Sequence, residues 1–198
     1  MVVSSFHAWV DESMHMAQGQ LREGIYVLAA TVADPSVCDE IRDLLRTLRT
    51  VPDAKLHWKD AGGSHRLRIC ERLADVGVFH AVVVGVSVDP RRQERARRLC
   101  MERLVFELAG HEVAQVWVES RTDSLNRRDR RLVDALRTRR VMPPAMMLDF
   151  ALPREEPMLW FPDVVAGAIG LHRRGLDSRP YGLLEPRITE SEIALDKR

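Results

Sequence analysis

The segment Ser5-Phe-His-Ala-Trp-Val-Asp-Glu-Ser13 predicts a β-strand over residues 5–11 that delivers two adjacent carboxylates, Asp11 and Glu12, to its end. Successive side chains of a strand point to opposite faces, so these two acids diverge. We therefore take Asp11 as the central acid of a cluster that distant parts of the chain complete. Glu12 is expected at the surface, or behind the site as a support for its ligands.

Further strand and helix patterns follow this segment. Residues 24–33 predict a second strand, which is apolar on both faces and therefore interior to the sheet. Asp34-Pro35 and Asp89-Pro90 each predict a helix start, with Asp as the N-cap and Pro in the first turn. Apolar periodicity predicts helices over residues 35–50, 64–76, 90–109, 125–138 and 157–172, and strands over residues 79–88, 113–119 and 146–150.

This order of elements predicts an α/β domain with a mixed sheet and helices on both faces. The sheet begins with an antiparallel hairpin, and its later strands can run parallel because helices connect them. We expect the domain to span residues 1–174, with a helical insertion at about 35–77. The tail, residues 175–198, is expected to be a loop or a short segment docked on the domain.

The composition is that of a globular protein, with 45% hydrophobic residues, 30% charged residues and a net charge of +1. Global charge therefore gives no reason to expect nucleic-acid binding, and only a local patch could provide it. Cys38, Cys70 and Cys100 are far apart and lie in helical patterns, which predicts buried, reduced thiols in a cytoplasmic protein. The chain lacks signal-peptide features and has no apolar run long enough to cross a membrane.

Two further acids have positions that suit a cluster with Asp11. Glu119 ends the predicted strand 113–119, and the carboxyl ends of parallel strands gather ligands. Asp163 opens the last long helix, whose small residues Ala166, Gly167 and Gly170 would let it approach the sheet closely. Carboxylates brought together in this way repel one another unless a cation neutralises them, and their hard oxygen atoms suit Mg²⁺ or Mn²⁺.

Each of these acids also has an ordinary structural explanation. Asp11 could cap the strand end, Glu119 could pair with Arg121, and Asp163 could be first-turn helix charge. Weaker candidates for the site, or for contacts behind it, are Glu12, Ser13, Lys59, Arg121 and Asp149.

Two other features could contact phosphate groups. His57 and Lys59, next to the turn Gly62-Gly63-Ser64, could orient a phosphate or assist proton transfer, although an ordinary turn is the more common explanation of such a segment. Residues 121–140 contain eight arginines, and Arg127, Arg128, Arg130 and Arg131 could follow a nucleic-acid backbone. The alternative is a solvated helix face, on which Asp129 would pair inward with an arginine.

The opening and closing motifs of the chain resemble those of one family. The opening is Val10-Asp-Glu-Ser13 followed by Ile25-Tyr-Val-Leu-Ala-Ala30, and the closing helix is Leu159-Trp-Phe-Pro-Asp-Val-Val-Ala-Gly-Ala168. Both are similar to the family of unknown function called DUF3800, which looks like a member of the ribonuclease H-like superfamily. The resemblance covers Phe6 to about Arg173. Met14 and Pro162 depart from the family pattern, which has Gly and Ala there.

The resemblance implies a five-stranded sheet in the order 3-2-1-4-5, with acids on the first strand, the fourth strand and the last helix. These are the positions of Asp11, Glu119 and Asp163. The expected function is Mg²⁺- or Mn²⁺-dependent hydrolysis of phosphodiesters in RNA, DNA or hybrids, with His57 as a further catalytic candidate. A non-catalytic interaction module of a defence or mobile-element system, and a hydrolase of another phosphorylated substrate, are the alternatives.

Overall fold

A computed structural model describes residues 5–52 and 54–195. Over these residues the sheet has six strands in the order β5-β4-β1-β2-β3-β6. β2 runs antiparallel to its neighbours β1 and β3, whereas the pairs β1–β4, β4–β5 and β3–β6 are parallel. The strands are β1 (Phe6–His15), β2 (Ile25–Ala33), β3 (Phe79–Val86), β4 (Val113–Glu119), β5 (Met147–Ala151) and β6 (Ile188–Ala194).

The helices lie close to their predicted positions. Asp34 and Asp89 accept hydrogen bonds from the backbone N–H groups of Ser36 and Arg91, and each caps a short 3-10 turn that leads into a helix. The predicted capping by Asp-Pro is therefore confirmed. The helices are α1 (Cys38–Thr47), α2 (Gly63–Ala74), α3 (Gln93–Gly110), α4 (Asp123–Thr138), α5 (Trp160–Arg173) and α6 (Arg179–Leu184).

The sheet corrects the prediction of five strands. The first five strands do take the predicted order, but the tail adds α6 and then β6, which pairs with the outer edge of β3. Only Ile188, Ile193 and Ala194 in β6 are apolar, so hydrophobic alternation gives little signal for a strand there. Its pairing with β3 and the ion pairs of Arg173 with Glu190 and Glu192 hold it in place. The ends of the predicted domain and tail, residues 1–4 and 196–198, and the loop residue Asp53 lie outside the described residues.

The first strand is also longer than predicted. β1 continues to His15, so Met14 and His15 belong to the strand and not to the connection that we expected over residues 14–23. β2 is buried along its whole length, as its apolar character on both faces predicted.

Two hydrophobic cores lie on opposite faces of the sheet. One core packs α1, α2, α5 and α6 against the face that carries Trp9 and Val27. The other packs α3 and α4 against the face that carries Val10 and Leu28. Cys38, Cys70 and Cys100 are buried and unbridged, and the helices described here do not include one that is both long and apolar enough to cross a membrane.

The small residues of α5 allow the predicted close approach to the sheet. Ser13 Oγ donates to the carbonyl oxygen of Ala166 at 3.4 Å. A methyl group on Gly167 would lie 2.1 Å from Cδ1 of Trp58, and one on Gly170 would lie 2.0 Å from Nε2 of His15. Two aromatic rings thus occupy the space that these glycines leave, and one of them comes from the insertion.

A buried arginine joins β1 to α3 and α4 on the second face. Arg97 is 1% exposed, forms an ion pair with Glu12, and donates from Nη2 to Oδ2 of Asp129 at 2.9 Å. Arg121 also contacts Asp129, at 3.2 Å, and donates to Glu94 at 2.6 Å. Glu12 therefore points away from the face of Asp11, as alternation predicted, and Asp129 pairs inward as proposed.

Replacing Arg97 by Met should destabilise the fold strongly. The change leaves the carboxylates of Glu12 and Asp129 without their shared cation, and breaking a buried ion pair in this way typically costs about 3–5 kcal/mol. Urea unfolding measures the loss. Arg139→Ala is the control, because Arg139 pairs with Glu102 at the surface and its removal should change stability little. Equal small losses in both variants would contradict the role given to Arg97.

Candidate functional site

The candidate site begins with Asp11, on the face of the sheet that packs against α5. Trp9 pairs with Trp117 and Val10 with Val118 in the parallel ladder between β1 and β4. The next step of that register places Asp11 beside Glu119. α5 lies over the same face, and Asp163 is in the first turn of this helix. The fold thus brings three predicted acids, from three separate elements, to one end of β1 and β4.

The electrostatics of Asp11 show how close these acids are. Burial raises the pKa of Asp11 well above its ordinary value, and the charges of Glu119, Asp163 and Glu12 raise it further. The backbone N–H of Glu12 donates to Oδ1 of Asp11 at 2.8 Å and opposes the rise only in part. Among the described residues, no cationic side chain forms an ion pair with Asp11. Its half-buried carboxyl therefore has a backbone donor but no cationic partner.

Glu119 is partly compensated, by a residue that sequence reasoning missed. Its pKa is raised by burial and by the charges of Glu12 and Asp163, whereas Lys55 opposes the rise. Lys55 Nζ lies 3.8 Å from Oε1 of Glu119. Arg121, which we considered as the partner of Glu119, pairs with other acids instead.

Asp163 is held by the insertion. Its Oδ2 accepts a hydrogen bond from the backbone N–H of Trp58 at 3.0 Å and lies 2.9 Å from Nδ1 of His57. The hydrogen bond to Asp163 is the main cause of a raised His57 pKa. His57 was a catalytic candidate from sequence, and the structure places it directly on one of the acids.

The donor set suits a hard divalent cation, but the side chains are not arranged as a coordination shell. Asp11 bonds the Glu12 amide, Glu119 approaches Lys55, and Asp163 bonds His57. Accordingly, the residues described here include no group of three or more His, Cys, Asp or Glu side chains in position to hold a metal ion. Buried carboxylate oxygens without a full set of cationic partners are nevertheless the ligands that Mg²⁺ and Mn²⁺ prefer.

The weaker candidates lie at different distances from these acids. Ser13 shares the face of Asp11, with its Oγ 3.0 Å from Nε2 of His15, and Lys59 lines a cleft beside Asp163. Asp149 is exposed in the middle of β5 and accepts a hydrogen bond from Gln115. Four arginines lie exposed along α4, which packs on the opposite face of the sheet: Arg127, Arg128, Arg130 and Arg131.

Sequence signals for the missed contacts were weak. Lys55 and the amide of Trp58 belong to an extended piece of the insertion whose spacing from Glu119 and Asp163 carries no periodic pattern. Arg97 is one of several arginines in α3, and only the position of Asp129 on an apolar stripe hinted that one of them turns inward.

Comparison with known proteins supports the fold. No protein-family model matches the chain, and no curated protein matches it. Its structure is similar to that of ribonuclease H2 from Pyrococcus horikoshii OT3, with a TM-score of 0.57 and 13% sequence identity. The match covers 89% of this chain and 77% of the other. The chain therefore has a ribonuclease H-like α/β fold, extended by β6.

Asp11→Asn should stabilise the metal-free protein at neutral pH. When the pKa of a carboxyl group is higher in the folded than in the unfolded protein, its ionisation destabilises the folded state. The unfolding free energy then falls as the pH rises from the unfolded-state pKa to the folded-state pKa. Asn keeps the acceptor for the Glu12 amide but carries no charge, so we expect a gain of about 0.5–2 kcal/mol in EDTA. The gain should shrink as the pH falls toward the ordinary Asp pKa of about 3.9.

Chemical denaturation across this pH range tests the prediction. Asp149→Asn makes the same chemical change at an exposed position and should leave stability nearly unchanged. A loss of stability in Asp11→Asn at neutral pH would contradict the prediction, because it would mean that the charged carboxylate of Asp11 stabilises the folded protein.

Proposed function

We propose that the chain is a metal-dependent phosphodiester hydrolase, in which Asp11, Glu119 and Asp163 hold one or two Mg²⁺ or Mn²⁺ ions. The observation that carries the proposal is the burial of Asp11 beside other acids, which raises its pKa. A buried negative charge of this kind is unfavourable for the folded protein alone and becomes favourable when a cation binds. The ribonuclease H-like fold supports the nuclease class by analogy.

The residues of the chain would divide the chemistry between them. The bound ions would supply activation of a water molecule and stabilisation of the leaving oxygen. Asp11, on strand β1, would fix the position of the site, the carboxylate of Glu119 would turn from Lys55 toward the ions, and Asp163 would bind them with the oxygen atom that His57 does not contact. His57 holds a proton more readily than an ordinary histidine because Asp163 accepts its Nδ1–H. Its Nε2 would then be available to exchange a proton with the substrate.

Nucleic acid is the proposed substrate. The exposed arginines of α4 lie on the opposite face of the sheet from Asp11 and would contribute only a longer-range, sequence-independent attraction for a phosphate backbone. The resemblance of the opening and closing motifs to DUF3800 favours the same class, but no family model supports membership of that family. A cytoplasmic location stays a prediction.

A non-catalytic interaction module is the second candidate. It is favoured by the contacts of the three acids, because each of them interacts with a different group of the protein. The described side chains are accordingly not arranged around an ion. Met14 and Pro162, the departures from the motif pattern, point the same way.

A nuclease assay with Mg²⁺ and Mn²⁺ on single-stranded, duplex and hybrid substrates tests the proposal. Asp11→Asn and Asp163→Asn should each reduce activity by roughly 100-fold or more, since removing even the outer partners of a metal site typically costs 10–100-fold. Asp149→Asn is the matched control and should retain activity. Unchanged activity in both site variants would refute the assignment.

Metal binding itself provides a second measurement. Mg²⁺ should raise the melting temperature of the wild-type protein by mass action and should do so much less in Asp11→Asn. Failure to cleave any substrate, together with calorimetry that detects no metal binding, would favour the interaction module.

A further inference from the structure

A cleft opens beside Asp163, on the side of the site away from β4. Its volume is about 380 Å³, and its walls are formed by the end of β1, by the insertion and by α5. Three cationic side chains line it: Lys59, Arg66 and Arg174. Lys59 and Arg66 belong to the insertion and Arg174 follows α5, so the cleft joins two parts of the chain that are distant in sequence.

Neutral groups hold the two guanidinium groups in place. Arg66 donates from Nε to the carbonyl oxygen of Trp58 at 3.1 Å and lies over the Trp58 ring, 5.1 Å from its centre. Arg174 donates from Nε to the carbonyl oxygen of Gly170 at 3.0 Å. Within the described part of the chain, neither of them forms an ion pair with an acid, and the same is true of exposed Lys59.

These guanidinium groups differ from the many that acids neutralise, although Arg49 is held in a similar way outside the cleft. Many other arginines, such as Arg42, Arg103 and Arg173, pair with one or two carboxylates. A guanidinium fixed by carbonyl groups keeps its whole charge and several N–H donors for a ligand, and phosphate is the anion that this geometry recognises best. The cations face the cleft next to Asp163, so an anion bound by them would lie beside the proposed metal ligands.

The size of the cleft restricts the form of the ligand. A cleft of a few hundred cubic ångströms holds a molecule of drug size, which is the size of a nucleotide. A double helix is too wide to enter it, because even its major groove is about 12 Å across. We infer that Lys59, Arg66 and Arg174 bind the phosphate backbone of single-stranded nucleic acid and lead it to the acids. This inference rests on the proposed nuclease function and specifies its substrate.

Binding can be measured separately from cleavage by fluorescence anisotropy with a labelled single-stranded oligonucleotide in EDTA. Wild-type protein should bind the single strand at least tenfold more tightly than a blunt duplex of the same sequence. Lys59→Ala and Arg174→Ala should each weaken binding several-fold. Each should also reduce the slope of log affinity against log salt by about 0.7, the value for one lost phosphate contact on a single strand.

Arg68→Ala is the matched control, because Arg68 is exposed on α2 close to Arg66 but does not line the cleft. It should leave both the affinity and the salt slope unchanged. Arg66→Ala is a third variant. Because Arg66 also packs on Trp58, its binding is compared with the wild type only if its circular dichroism and unfolding are unchanged.

Several outcomes would overturn the inference. These are wild-type affinity in both Lys59→Ala and Arg174→Ala, an equal effect of Arg68→Ala, or a duplex bound as tightly as the single strand. A different result would contradict the proposed function. If single-strand binding depends on Lys59 and Arg174 but no cleavage occurs in Mg²⁺ or Mn²⁺, the cleft binds nucleic acid and the protein is not a hydrolase of it.

Discussion

The burial of a negative charge at the end of β1 is the constraint to which the surrounding structure responds. Asp11 lies on the face that α5 covers, beside Glu119 and close to Asp163, and its pKa is raised by burial and by the charges of these acids. A protein selected only for stability would place an apolar or amide side chain there. The acid therefore points to a ligand whose binding offsets its unfavourable position.

The alternation of β1 separates this site from a second charged region of opposite character. Asp11 lies on one face with few compensating partners, whereas Glu12 lies on the other and pairs with Arg97. On the second face, Arg97 and Arg121 share Asp129, so acids and bases are matched and the network holds α3 and α4 together. Two adjacent carboxylates in the sequence thus have different roles, one at the candidate site and one in the fold.

Much of this organisation could be predicted from sequence because it depends on local patterns. Alternation in β1 separated Asp11 from Glu12, Asp-Pro pairs located helix starts, and the small residues of α5 indicated its close packing. These patterns place the three acids at one end of the sheet, although their role as metal ligands stays a proposal. The order of the first five strands came from the resemblance to a family, and the structure bears that order out.

The remaining features depend on contacts that leave no periodic trace. β6 is mostly polar and becomes a strand because β3 offers it an unpaired edge and Arg173 holds Glu190 and Glu192. His57 meets Asp163 across 106 positions of sequence, and Lys55 meets Glu119 across 64. Such pairs follow from how the insertion folds back on the domain, which composition and spacing do not encode.

The contact of Trp58 with Gly167 has a consequence for how the protein could be redesigned. The acids stand on the sheet and on α5, whereas His57, Lys59 and Arg66 belong to an insertion that this aromatic contact seats on the helix. The proposed metal ligands and most of the proposed phosphate contacts therefore lie on different parts of the chain, which this contact helps to join. An insertion of different length or charge that keeps this contact, together with the bonds of Trp58 and His57 to Asp163, could be grafted onto the same sheet and would give it a different ligand preference.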